Sequence, residues 1–298
     1  MIKKAILVSI ILLLIYEVLL QTCVIKTGIT QNQRHSNTVI AEKFILNETE
    51  GSAILVGSSI GARLNQEELG DKIFNLSLGG LGVFDGMELI RKLNRIPNQL
   101  LIEINVLKRG ASEPFDSEFK YLEVKKISLK SKSFQSIYQP AGIVGEWFGY
   151  SVIGKIFYKL KLKLLSSDTF KKKEQKESKN QFVKVDSLIQ EKLRKSIVET
   201  VDSLKIRNNI LKLRNTIELI KPKKIIFVQI PSGYSVNHSL NNQFTIEELH
   251  KMVIKNTQID FFIPDSLDLY DTTDGVHLEF NSAKLFSKKM KMYLLNSQ

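Results

Sequence analysis

Asp274 and His277 lie three residues apart in YDTTDGVHLEF, residues 270–280, in a chain with only 4 histidines. A carboxylate beside an imidazole orients the ring and stabilises the imidazolium, so the pair forms the acid–base half of a catalytic triad once a nucleophile reaches the ring. The candidate nucleophile is Ser59, in AILVGSSIGARL at residues 53–64. A serine hydroxyl is a weak nucleophile until a base removes its proton. The chain order Ser, Asp, His is allowed, because triads are defined by geometry and role. The competing readings are a solvated loop for 274–277 and a turn serine at Ser59.

The elements around these residues must bring them together. Short apolar runs at 53–56, 72–78, 99–107, 223–231 and 258–264 read as strands, and 81–93, 185–220 and 282–295 carry helical spacing. Strands alternating with helices predict an α/β domain with a parallel sheet. Ser59 then follows the first strand at its carboxyl end, the edge where such sheets bind ligands. Asn105 ends the third strand on the same edge. Between strands three and four lies an insertion at about residues 110–220, longer than an ordinary crossover. It holds an aromatic stretch at 142–164, read as an active-site cap, a membrane-surface segment or a core helix, and an almost wholly polar stretch at 170–181.

The first 25 residues are a candidate anchor. Lys3 and Lys4 precede a run broken mainly by Glu17 and Gln21. At a rise of 1.5 Å per residue such a helix spans roughly 30 Å, one hydrocarbon core. The leading lysines favour a cytoplasmic N-terminus and an extracytoplasmic domain. Glu17 is costly in lipid unless it is paired or near an interface. A lipoprotein signal ending at Cys23 competes, although Leu20-Gln21-Thr22 lacks the usual small residue before the cysteine. Residues 26–50 read as a polar stalk, and 51–298 as the domain.

The 43 basic and 31 acidic residues give a net charge of +12. This attracts anionic lipid or acidic glycan. No zinc-finger spacing or aromatic RNA-binding signature is present, so nucleic acid is not the expected partner. The single cysteine excludes an intrachain disulfide and a thiolate cluster. The histidines lack metal-ligand spacing. Neither a metal nor a cofactor is expected.

Four blocks resemble the SGNH, or GDSL-like, hydrolase family. Gly57-Ser58-Ser59 is similar to its Gly-Asp-Ser block. Phe74-Asn75-Leu76-Ser77-Leu78-Gly79-Gly80 is similar to Asn-x-Gly-x-x-Gly. Glu103-Ile104-Asn105-Val106 stands where the family has Gly-x-Asn-Asp, and Asp274-Gly275-Val276-His277 matches Asp-x-x-His. The resemblance covers roughly residues 52–295. It implies a three-layer α/β/α, flavodoxin-like fold and ester hydrolysis or O-acyl transfer through an acyl-serine. The roles it implies are Ser59 as nucleophile, His277 as base, Asp274 as its orienting carboxylate, and Ser59 N–H, Ser77 N–H and the Asn105 amide as oxyanion donors. The implied substrate is an acylated carbohydrate or lipid-linked ester of a bacterial cell envelope, handled beside a multi-span acyltransferase. The departures are Ser58 for aspartate, Ser77 for glycine, Glu103 for glycine and Val106 for aspartate.

Two other readings stand beside this one. Gly57 and Gly61 after a strand, with Tyr121 and Lys125, resemble a short-chain dehydrogenase. That reading lacks a third glycine and an acidic end to strand two. A non-catalytic scaffold of the same fold, binding glycan or a membrane acyltransferase, is the alternative from a different class.

Overall fold

The computed structural model describes residues 2–22, 32–46, 53–110, 127–140, 143, 201–264 and 266–296. Cys23 and the stretches 142–164 and 170–181 lie outside the described residues, apart from Ile143. The chain divides into two compact units, Met1–Leu46 with Tyr121–Lys184, and Asn47–Lys120 with Val185–Gln298.

The first unit contains α1 (Ile2–Gln21) and α2 (Gln33–Leu46). Apolar side chains stand exposed along α1 from Ile2 to Leu19, and only Leu20 is buried. No helix among the described residues is classed as long and apolar enough to cross a membrane. Yet α1 has 20 residues, and only Lys3, Lys4 and Glu17 among them are charged. Its apolar residues run all round the helix, which leaves no distinct polar face. Glu17 is paired: its carboxylate accepts from Gln21 Nε2 (2.8 Å), Ser131 Oγ (2.8 Å) and the backbone N–H groups of Lys132 (3.1 Å) and Ser133 (2.8 Å). Much of the stretch read as a stalk is helix α2, with Val39, Ala41, Phe44 and Ile45 buried. Its buried Glu42 takes the N–H and hydroxyl of Ser136 at 2.6 and 2.8 Å.

The second unit runs β1 (Ala53–Gly57), α3 (Gln66–Leu69), β2 (Ile73–Ser77), α4 (Val83–Lys92), β3 (Gln99–Glu103), α5 (Ser203–Ile220), β4 (Lys224–Val228), α6 (Tyr234–Asn237), α7 (Leu240–His250), β5 (Gln258–Phe262) and α8 (Phe280–Asn296). The strands form one parallel sheet in the order β2-β1-β3-β4-β5. This is the flavodoxin-like order, whose switch point lies between β1 and β3. Helix α5 is the last part of the stretch read as an insertion.

Because strand side chains alternate, the sheet has two apolar faces. Leu55, Leu101, Ile226 and Val228 pack in one cluster with Phe286, Met290 and Leu294 of α8. Ile54, Val56, Leu100, Ile102, Ile225 and Phe227 point the other way and are fully buried. Helix α4 lies close on that side: a β-carbon at Gly86 would stand 3.0 Å from Val56 Cγ1. A sheet covered on both faces explains why its strands read as continuous apolar runs.

The third strand is shorter than its apolar run predicts. It ends at Glu103, and 105–108 form a turn. Asn105 stops the ladder by bonding to the backbone of Ile230 after β4.

Candidate active site

The site is built on the carboxyl edge of the sheet. β1 ends at Gly57, and Ser59 is half-buried in the turn that follows. Gly57 is needed there for space: a β-carbon would stand 2.4 Å from Glu103 Oε2 and 2.7 Å from Ser77 Oγ. Its φ is not positive, so the reason for glycine is crowding by neighbouring strands and not the conformational freedom of a tight turn.

After β5, the chain returns to this edge in a narrow loop. Thr272 and Leu278 form an antiparallel bridge, and Thr273 N–H donates to His277 O at 2.9 Å. Gly275 sits at φ 74°, where a side chain is strained. Asp274 Oδ1 accepts the N–H groups of Val276 (3.0 Å) and His277 (2.8 Å). Such a turn is one that aspartate forms readily with its own following backbone.

Three predicted residues meet. His277 Nδ1 lies 2.7 Å from Asp274 Oδ2, and His277 Nε2 lies 2.9 Å from Ser59 Oγ. Burial raises the Asp274 carboxyl, but the bonds from His277 and Val276 outweigh it and hold the pKa down to about 2. Asp274 is therefore ionised at neutral pH and accepts from His277 Nδ1–H. That bond fixes the tautomer and leaves the Nε2 lone pair facing the serine hydroxyl. The aspartate side chain is 46% exposed and the histidine side chain 21%.

The two further oxyanion donors have partners inside the protein. Ser77 is fully buried, and its N–H donates to Asn75 Oδ1 at 3.1 Å. Asn105 donates through Nδ2 to Ile230 O at 2.8 Å and accepts Ile230 N–H at 2.9 Å. A carboxamide nitrogen carries two hydrogens, so Asn105 keeps one beyond this bond. Among the described residues, the N–H of Ser59 itself has no acceptor.

Sequence reasoning treated Glu103 only as a departure from a motif. It is fully buried and accepts Ser58 N–H at 2.7 Å, Ser58 Oγ–H at 2.9 Å and Gly61 N–H at 3.2 Å. Burial pushes its carboxyl up against the pull of these donors and of Arg109. The available signal was a lone carboxylate inside the apolar run LLIEI, since glutamate is almost never fully buried without partners.

No protein-family model matches the chain, and no curated protein matches it.

Proposed function

We propose that this chain is a membrane-anchored SGNH-like serine esterase or O-acyltransferase. Its substrate is an O-acyl ester, an acetyl ester above all, on a cell-envelope glycan or lipid-linked carbohydrate. The observation that supports this reading is the hydrogen-bonded series Ser59–His277–Asp274 at a sheet edge suited to ligand binding.

In the proposed reaction, Ser59 Oγ attacks the ester carbonyl as His277 Nε2 takes its proton. Asp274 stabilises the imidazolium. The oxyanion meets Ser59 N–H and the second Nδ2 hydrogen of Asn105, and one such donor lowers the barrier by about 3 kcal/mol. The alcohol leaves with the proton from His277, so the serine carries the acyl group. Water then completes an esterase cycle, or a sugar hydroxyl completes a transfer. The apolar, exposed α1 supports an anchor, with the catalytic unit outside the cytoplasm beside a multi-span acyltransferase.

The non-catalytic scaffold is a second reading, favoured by the internal partners of Ser77 N–H and the Asn105 amide. Turnover of an activated acetyl ester and of acetylated glycans separates the two. Release of acetate by the wild type and its loss in Ser59→Ala supports the enzyme; equal rates in both chains reject it.

A further inference from the structure

We propose that Glu103 is the positioning residue of the nucleophile turn. Its carboxylate, delivered from β3, holds residues 58–61 so that Ser59 faces His277 with its own N–H left available. This rests on the reading of Ser59 as nucleophile.

The pattern of bonds in four consecutive residues carries the inference. The N–H groups of Ser58 and Gly61 both end on Glu103 Oε2. The Ser58 hydroxyl donates to Oε1 and accepts Ile60 N–H at 3.2 Å. Three of the four amides, at 58, 60 and 61, are thus tied to the carboxylate directly or through Ser58 Oγ. The fourth, at Ser59, is the one an oxyanion needs. A carboxylate suits the task because it only accepts and offers two oxygens. A neutral acceptor at 103 cannot take two N–H groups and one O–H in the same places.

Ser77 shares the space under the turn with Glu103. A β-carbon at Gly61 would stand 2.5 Å from Ser77 Oγ and 3.0 Å from Glu103 Oε2. Burying a carboxylate is costly unless donors surround it, and here all its donors come from one turn. Ser58 and Glu103 are also two of the departures from the Gly-Asp-Ser and Gly-x-Asn-Asp blocks. Because they touch, they amount to one exchange: the carboxylate missing at 58 arrives from 103.

The test uses the full chain in detergent micelles and an alkyl fluorophosphonate. Ser59 Oγ bonds to phosphorus, fluoride leaves, and His277 takes the proton. The maximal labelling rate and the half-saturating probe concentration are read separately. Glu103→Gln keeps one oxygen for the two amides but turns an NH₂ toward Ser58 Oγ. We expect its maximal rate to fall about 10–100-fold, as for a misplacement of an ångström or less, with the half-saturating concentration unchanged. The exchanged pair Ser58→Asp with Glu103→Ser should recover most of the rate. Ser58→Asp alone should not, because two buried carboxylates then meet.

Wild-type maximal labelling in Glu103→Gln overturns the proposal, as does an exchanged pair no faster than its single variants. If the Glu103 variants do not fold, Ser58→Ala decides. It keeps both backbone bonds but frees Ile60 N–H, so hydrogen exchange in a peptide spanning 58–61 should quicken and labelling should slow; no change in either overturns the proposal. A folded wild type that never labels at Ser59 is a different failure: it rejects the nucleophile itself.

Discussion

His277 grips Asp274 twice. Its backbone N–H donates to Oδ1 at 2.8 Å and its ring Nδ1 meets Oδ2 at 2.7 Å. One carboxylate therefore sets both the fold of the loop and the tautomer of the base. Asp274→Asn keeps an oxygen for the backbone but turns an NH₂ toward Nδ1, which favours the wrong tautomer. Removing a buried triad aspartate costs about 10⁴-fold in rate. Asp274 is 46% exposed, so solvent already screens it, and we expect a loss of roughly 10²–10³-fold. Ester turnover at neutral pH checks this.

Acid should expose the same bond. The folded-state pKa of about 2 lies below the ordinary 3.8. A lowered carboxyl stabilises the fold fully above its ordinary value and loses that contribution as pH falls towards 2. Urea unfolding of the wild type and Asp274→Asn should show a gap at pH 7 that is still present at pH 5 and narrows between pH 4 and pH 2. A gap constant with pH would mean that the ion contributes nothing.

Gly233 tests how closely the neighbouring loop braces the site. A β-carbon there would stand 2.1 Å from Gly275 O, between Asp274 and His277 in sequence. Gly233→Ala must push the loop away or distort it. We expect a loss of about 1–3 kcal/mol in stability, as for overpacking, and a larger loss of ester turnover than Thr216→Ala on the surface of α5. Thermal melts and turnover of both variants read this.

The anchor is tested by fractionation. Removal of residues 1–25 should move the protein from the carbonate-washed membrane fraction to the aqueous one. Retention of the shortened chain on membranes would shift attention to other segments.

Much of this arrangement was legible in the residues. Apolar runs located every strand, because a sheet covered on both faces requires them. Ser59 was singled out by its place after the first strand, and Gly57-Ser58-Ser59 and Asp274-Gly275-Val276-His277 by their resemblance to family blocks; the structure puts the three side chains within hydrogen-bond reach. The partners of Ser77 N–H and Asn105 were not legible. They depend on Asn75 and Ile230, and a polar residue at a strand end looks the same whether it faces a ligand or a neighbouring backbone. Glu103 was visible as an oddity in LLIEI, but its role needed the three-dimensional closeness of β1 and β3. The end of β3 was missed because Ile104 and Val106 continue its apolar pattern into a turn.

The most direct test of the triad is fluorophosphonate labelling of the full chain, read by intact mass and peptide mapping. A single adduct on Ser59, lost in His277→Ala while the fold is kept, is the result the Ser59–His277–Asp274 geometry predicts. An unlabelled wild type, or undiminished labelling of Ser59 in His277→Ala, would contradict it.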